Sequence, residues 1–290
     1  MKFSIITASF NPGEKLLFTI NSILEQELQD FEIIVKDGGS TDRAIEKLQQ
    51  EEAVLRAIAE QKLKLIIKRD KNVYDGMNQA VEVCRGEYIL FLNCGDRFHD
   101  TNILDKVAKI IDIERVPAVI EKANALEYNM ENKPIIYYGN TYCMRTKAMV
   151  HSVPEITGFT CFRNIPCHQS CFYDRRLFQE KKYDINLKIR ADYDHFLWCF
   201  YQGGAEFRYL DFAVADYEGG GISETKENRK TDKAEHELVI RRYMKADEIL
   251  RYKGIMLLTL APLRRWIAES SSFSGIYHRI KGWLYHKANV

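Results

Sequence analysis

The chain has 290 residues, 46% hydrophobic and 29% charged, with a formal net charge of +1, which fits a soluble globular protein holding one large domain or two small ones. No uninterrupted apolar stretch is long enough to span a bilayer, and the start, MKFSIITASFNPGEK, is broken by Thr7, Ser9 and Asn11-Pro12 in a way that no signal peptide is. Seven singly scattered cysteines without a CxxC pair argue against a disulfide framework or a zinc site, and for reduced thiols in a cytoplasmic protein.

Phe3-Ser4-Ile5-Ile6-Thr7-Ala8 reads as a first strand, which the turn at Asn11-Pro12-Gly13 ends. Leu16, Ile20, Ile23 and Leu24 then share a helical face. Phe31 to Val35 is a second strand, followed by Lys36-Asp37-Gly38-Gly39-Ser40-Thr41-Asp42. Helical spacing returns at Ile45, Leu48, Val54, Leu55 and Ile58. Leu63 to Ile67 is a third strand, ending at Lys68-Arg69-Asp70. Tyr74 to Cys84 is helical, and Tyr88 to Leu92 is a fourth strand that stops at Asn93-Cys94-Gly95-Asp96. Strands alternating with helices over short connections predict a parallel sheet covered on both faces, with the four polar loops along one edge.

Each loop admits two readings. Asp37 to Asp42 is either a turn with Ser40 or Thr41 as helix cap, or a loop in which Asp37 accepts a nucleobase imide N–H while Gly38 and Gly39 let the backbone approach the ligand. Arg69-Asp70 is a surface ion pair or a wall of the base and ribose pocket. Asp75 and Asn78 either start a helix or lie near ribose and phosphates. Asp96 either caps a turn or holds a divalent metal at the carboxyl end of a buried strand, where open α/β sheets bind ligands. A hard cation such as Mg²⁺ takes one or two carboxylates and fills its shell with water and phosphate.

Thr7-Ala8-Ser9-Phe10-Asn11, Val35 to Asp42, Tyr74-Asp75-Gly76-Met77-Asn78 and Phe91 to Asp96, in that order, resemble the family 2 glycosyltransferases over about the first hundred residues. The resemblance implies a GT-A fold: an α/β, mostly parallel Rossmann-like sheet flanked by helices. It also implies a nucleotide-sugar donor, a UDP-sugar ahead of a GDP- or dTDP-sugar, a divalent metal (Mg²⁺ or Mn²⁺) and inversion at the anomeric carbon. Asp37 would sit at the base, Asp70 near base and ribose, Asp96 on the metal, and Thr7, Ser9, Gly38, Arg69, Asp75, Asn78 and Asn93 around the donor. The family's Asp-x-Asp stands here as Asn93-Cys94-Gly95-Asp96, with only the last carboxylate.

Further on, Val107, Ile110 and Ile111 suggest a helix and Glu121 to Lys133 a polar excursion. Ile135 to Asn140 is another strand, with a hairpin partner expected around Tyr142-Cys143-Met144 and a loop from His151 to Pro166. His168-Gln169 is either core hydrogen bonding or, on the resemblance, a contact with donor sugar or acceptor. Cys167 and Cys171 read as small apolar fillers. Ala191-Asp192-Tyr193-Asp194 opens a helix with an apolar face, so either acid is a cap candidate. A sugar hydroxyl is too weak an acid to attack unaided, and a positioned carboxylate can take its proton. The resemblance assigns that role to Asp192, with Asp194 as fallback. Leu210 to Tyr217 is a last strand, followed by Glu218-Gly219-Gly220-Gly221-Ile222-Ser223, which lacks the spacing of a Walker or dinucleotide loop. Similar segments in the family close over the diphosphate, and a polar linker is the other reading.

Residues 1–233 are expected to form the catalytic domain, 1–100 its nucleotide half and 101–233 its acceptor half, with 234–290 a helical appendage. Residues 241–290 hold ten Lys/Arg against three Asp/Glu, a balance of +7, leaving −6 for the rest. Basic residues interleaved with Leu257, Leu258, Trp266, Trp283 and Tyr285 fit an amphipathic helix on an anionic membrane face, with packing on the body or on a second copy as the alternatives and no nucleic acid as partner. The expected function is transfer of a sugar from a nucleotide-sugar donor to a glycan or lipid-linked acceptor in cell-surface polysaccharide synthesis, at the cytoplasmic side of the membrane. A sugar-phosphate nucleotidyltransferase would want a Gly-rich basic loop where Thr7 to Lys15 has one glycine, and a non-catalytic nucleotide-sugar-binding protein would need no base.

Overall fold

The strand that organises the sheet is β1 (Phe3–Ser9), buried almost throughout because apolar residues occupy both of its faces. In the computed structural model the described residues are 1–124, 133–221, 225 and 227–259, without the side chains of 116–124. β2 (Phe31–Asp37) and β4 (Tyr88–Phe91) flank β1, and β3 (Leu63–Ile67) lies beyond β2, all parallel. The register sets Ser9 opposite Asp37, so the loops after β1 and β2 leave the sheet together. The crossovers are α1 (Lys15–Leu24), α2 (Ala44–Leu48), α3 (Glu52–Ala59) and α4 (Val73–Val81). The helical spacing from Ile45 to Ile58 is two helices, because Glu51 turns extended (φ −77°, ψ 124°) after the polar Gln49-Gln50.

Beyond β4 come β5 (Arg97–Phe98), α5 (Ile103–Asn124), β6 (Ile135–Cys143), β7 (Ala148–Val150), α6 (Gly158–Arg163), β8 (Cys171–Asp174), α7 (Arg175–Glu180), α8 (Ala191–Tyr201) and β9 (Glu206–Tyr217). The sheet order is β3-β2-β1-β4-β8-β6-β9-β5, with β7 beside β6. β8 runs antiparallel to both β4 and β6, while β9 is parallel to β6, so the sheet is parallel in its first half and mixed in its second. Of the expected hairpin partner around Tyr142-Cys143-Met144, Tyr142 and Cys143 are instead the end of β6 itself, and the returning strand is β7, with Tyr142 opposite Met149. Lys147, at φ +50°, supplies the left-handed residue of the turn between them. Within the expected 151–166 loop, α6 forms where the Thr157 hydroxyl accepts the Thr160 N–H as a cap.

Phe3, Ile5, Leu90 and Leu92 pack with α1, α2, α3 and α5 on one face of the sheet. On the other face Phe91 meets Phe178 and Tyr183 at ring distances of 5.4 and 5.3 Å. This follows from the alternation of side chains along a strand.

The chain divides into two compact units, Met1–Val239 and Ile240–Val290, and the division falls within α9 (Arg229–Tyr243), as does the expected boundary at 233. In the second unit α10 (Ala246–Leu258) exposes Leu250, Leu257 and Leu258. No described helix is long and apolar enough to cross a membrane. Ile222-Ser223 and the aromatic, basic stretch 260–290 lie outside the described residues.

Candidate functional site

The ends of β1 and β2 carry the first part of the site. Asp37 is buried, and its carboxylate accepts four hydrogen bonds: Gly39 N–H (2.9 Å) and Ser40 N–H (2.8 Å) on Oδ1, Ser9 Oγ (3.1 Å) and Ser40 Oγ (2.5 Å) on Oδ2. Burial pushes this carboxyl up, but the bonds from Ser40, Gly39 and Ser9 outweigh it and hold Asp37 below the usual range. The Thr7 hydroxyl donates to Leu92 O at 2.9 Å and ties β1 to the chain leaving β4.

Asp70 reaches the same edge from β3. Its Oδ2 lies 2.7 Å from the Nζ of Lys36, whose side chain is fully buried and also donates to Asp37 O and Lys68 O. The carboxylate is packed between two glycines: a Cβ on Gly38 would come within 2.9 Å of Asp70 Oδ2, and one on Gly76 within 3.0 Å. A side chain at either position would crowd Asp70, so these glycines leave room for its carboxylate as well as serving the turns. Arg69 lies alongside, its Cγ 3.7 Å from where a Gly39 Cβ would be. Asp75 accepts from Lys71 N–H (2.9 Å) and Gln79 Nε2 (3.2 Å), shaping the start of α4. Asn78 is placed elsewhere: both ends of its amide clamp the backbone of Tyr183, at 2.9 Å each, inside the core. Phe10, an aromatic inside a motif but not singled out from sequence, is 67% exposed, its ring edge 3.3 Å from where a Gly38 Cβ would lie.

The second part is built around the turn after β4. The Thr19 hydroxyl from α1 lies 2.7 Å from Asp96 O and accepts Gly95 N–H at 3.0 Å, which pins the turn. Asp96 is buried, with Oδ1 accepting Glu218 N–H at 2.9 Å and Oδ2 at 3.5 Å from Gln169 Nε2. Burial pushes its carboxyl up to about 6, against the pull of the Glu218 N–H and the nearby His168. The short 3₁₀ turn His168–Ser170, which leads into β8, brings His168 beside Asn93, with Asn93 Nδ2 and His168 Nε2 3.0 Å apart. His168 Nδ1 stands 3.4 Å from Asp192 Oδ2, an ion-pair separation without hydrogen-bond alignment. Asp192 Oδ1 accepts from Tyr74 OH (3.1 Å) and Tyr193 N–H (2.9 Å). Burial would raise Asp192, but His168, Tyr193 and Tyr74 hold it below the ordinary range, so it is ionised at neutral pH. Asp194 is fully buried against Lys181 Nζ at 2.8 Å and turns away from this cluster. Asn93, Asp96, His168, Gln169 and Asp192 are thus brought together from β4, β8 and α8.

Glu218 completes the neighbourhood. Its carboxylate pairs with Lys15 at 2.7 Å and presses on Gly95. In sequence Glu218 stands out only as the start of the Gly-rich 218–223 segment; its pairing with Lys15 spans 203 residues and has no local signal. A cleft of about 850 Å³, lined by Lys15, Phe18, Lys47, Arg145 and Glu218 among others, adjoins the site at Gly95 but does not contain Asp37, Asp96 or Asp192.

Among the described residues no three His, Cys, Asp or Glu side chains gather as a closed metal site. Asp96, with Glu218 beside it, suits a hard cation shared with phosphate oxygens, which needs only one or two carboxylates. A buried carboxylate pushed up to about 6 is one short of positive charge, which fits that group.

Residues 4–171 match the model of the glycosyl transferase family 2. A PGL/p-HBAD biosynthesis glycosyltransferase of Mycobacterium tuberculosis is 30% identical over 269 residues, covering 91% of this chain and 90% of the relative. The poly(ribitol-phosphate) beta-N-acetylglucosaminyltransferase TarP of Staphylococcus aureus is 24% identical over 216 residues, 68% of this chain and 62% of TarP. Among solved structures, S. aureus TarS in complex with UDP-GlcNAc superposes with a TM-score of 0.64 at 17% identity, over 89% of this chain and 72% of that one. A mannosyltransferase of Pyrobaculum calidifontis in complex with GDP-Man and Mn²⁺ gives 0.58 at 13% identity, over 97% and 86%. The sheet order, the loops at its edge and these likenesses agree, and the chain belongs to the family 2 glycosyltransferases, on a GT-A fold.

Proposed function

We propose that this enzyme transfers a sugar, with inversion, from a nucleotide-sugar donor to a glycan or lipid-linked acceptor of the cell surface. The names of the mycobacterial relative and of TarP support that acceptor class, and a UDP-sugar is the first donor to test, given the UDP-GlcNAc held by TarS. The observation that carries the reading is the His168-Gln169 turn, which places Asp96 and Asp192 on either side of one polar cluster.

In this reading Asp37, Asp70 and the exposed ring of Phe10 frame the nucleoside, with Ser9, Gly38, Arg69 and Asp75 shaping the loops around it. Asp96 would hold Mg²⁺ or Mn²⁺, which neutralises charge on the leaving diphosphate when bound. Asp192, ionised and fixed by Tyr74 and Tyr193, takes the proton of the acceptor hydroxyl as attack develops. His168 and Asn93 lie between these two carboxylates and orient the sugar.

The test has two arms. Melting temperature is measured with UDP-, GDP- and dTDP-sugars, with and without Mn²⁺; the true donor raises it, and more with metal. Asp192→Asn then keeps that donor response but loses transfer by about 10²–10⁴. Unchanged turnover removes Asp192 from the mechanism. The basic segment 241–290 and the exposed leucines of α10 further support a cytoplasmic enzyme resting on the inner membrane face. Co-sedimentation with anionic but not neutral vesicles is the expected outcome, and equal binding to both would refute that placement.

A further inference from the structure

The helix that carries Asp192 starts without a local cap. Arg190 precedes α8 with no side-chain hydrogen bond to its first turn, and no Ser, Thr or Asn stands there. Instead one carboxylate from α9 takes the three N–H groups leading into the helix. Glu235 Oε1 accepts Lys188 N–H at 2.8 Å, and its Oε2 accepts Ile189 and Arg190 N–H at 2.9 Å each. One turn earlier on α9, Asp232 holds the Arg190 guanidinium through Nε (2.7 Å) and a second nitrogen (3.0 Å). On the other side of Glu235, the His236 ring stacks on Tyr193 with centroids 5.1 Å apart, and its Nε2 donates to Phe162 O at 3.0 Å. Positions 232, 235 and 236 share one face of a helix, so α9 presents all three to the same target. From the opposite side Tyr74 OH donates to Ile189 O at 2.5 Å and meets Asp192 Oδ1 at 3.1 Å.

We infer that Glu235 is a positioning residue for sugar transfer: by gathering the N–H groups of Lys188, Ile189 and Arg190 it sets the first turn of α8, and through it the placement of Asp192. The inference rests on Asp192 as the base. A general base works only within hydrogen-bond reach of the proton it removes, and a displacement of about 1 Å can cost 10²-fold in rate. With Arg190 and Tyr193 both held, the backbone that carries Asp192 between them is restrained. A carboxylate suits the site because it presents acceptors only; an amide of the same shape keeps one acceptor and turns its NH₂ toward at least one of the three N–H groups.

The experiment uses the full chain with Glu235→Gln. Hydrogen exchange of peptides covering 186–194 should quicken about 10-fold, following local opening of a held segment, while peptides of β1, β2 and 93–96 stay as they were. Binding of UDP with Mn²⁺, read by calorimetry, should be unchanged. With the donor identified by the melting screen, kcat should fall about 10- to 100-fold at constant donor KM. On an Asp192→Asn background the same substitution should cost nothing more, because it acts through that carboxylate. Asp232→Asn, which releases only the Arg190 side chain, should give a smaller loss in the same direction and keeps the test open if Glu235→Gln folds poorly. Unchanged kcat in Glu235→Gln overturns the inference. So does a parallel loss of UDP affinity, or a loss that multiplies on the Asp192→Asn background. Full turnover by Asp192→Asn alone would sink the base assignment, and the inference with it, while leaving the exchange result standing.

Discussion

Around Asp37 and Asp70 the carboxylates find their partners inside the protein, four donors for one and the buried Lys36 ammonium for the other. Around Asp96 the account does not close: its carboxyl is pushed up to about 6, and Asn93 Oδ1 and His168 Nδ1 are buried without a hydrogen bond. Under the proposed function, this contrast separates two jobs. A surface that recognises a nucleoside gains from being set before the ligand arrives, since ordering costs are then already met. A centre that must handle a diphosphate, a cation and a moving proton gains from groups whose charge and hydrogen bonds are completed by the reactants, because interactions that strengthen along the reaction raise the rate.

Substitutions on the two sides should therefore act with opposite sign on stability. The largest effect is expected for Asp70→Asn, which strands the Lys36 ammonium in the core without a counter-charge. Urea unfolding should show a loss of about 3–5 kcal/mol, and a neutral result would break the claim that the Asp37–Asp70 side is self-sufficient. Asp96→Asn should do the reverse. A carboxyl raised from an ordinary value near 4 to about 6 contributes stability that is present below pH 4 and lost as pH rises through 6. In chelator the wild type should lose melting temperature between pH 4 and pH 6 relative to Asp96→Asn. Above pH 7 the variant should be the more stable by on the order of 2 kcal/mol. A variant that is less stable at pH 8 would put Asp96 on the same footing as Asp70. The smallest effect is expected for Gly76→Ala. Inside a helix this change usually gains up to about 1 kcal/mol. Here the new methyl meets Asp70 Oδ2 at 3.0 Å, and Lys36 pins that oxygen, so a loss of about 1 kcal/mol should appear instead. A gain would show that Asp70 can give way.

Legibility followed the same division. Asp37, Gly38, Asp70 and Asp96 could be picked out because each follows a short apolar run, and parallel strands deliver their carboxyl ends to one edge. Asn78 shows the limit of that reasoning: a polar residue in the middle of α4 has two faces to choose from, and it turned to the Tyr183 backbone. The choice between Asp192 and Asp194 was open in sequence, since both sit in the first turn of one helix. The structure pairs Asp194 with Lys181, which favours Asp192 in the proposed role; 13 residues separate that pair, and the spacing of the helix says nothing about Lys181. The hairpin at β6 was misplaced for a related reason: its nine residues are all compatible with a strand, and the turn falls where Lys147 accepts a left-handed backbone.

The sequence by itself determined the parallel half of the sheet, the loops at its edge and the residue types offered there, because hydrophobic period and turn chemistry act within a dozen residues. Only the tertiary structure decided that β8 enters antiparallel beside β4, which carries His168 and Gln169 to Asp96, and that Glu218 and Glu235 reach back to Asp96 and α8. Those contacts span 45 to 122 residues, and at such separations it is the packing of whole elements, and no local preference, that selects which side chains meet.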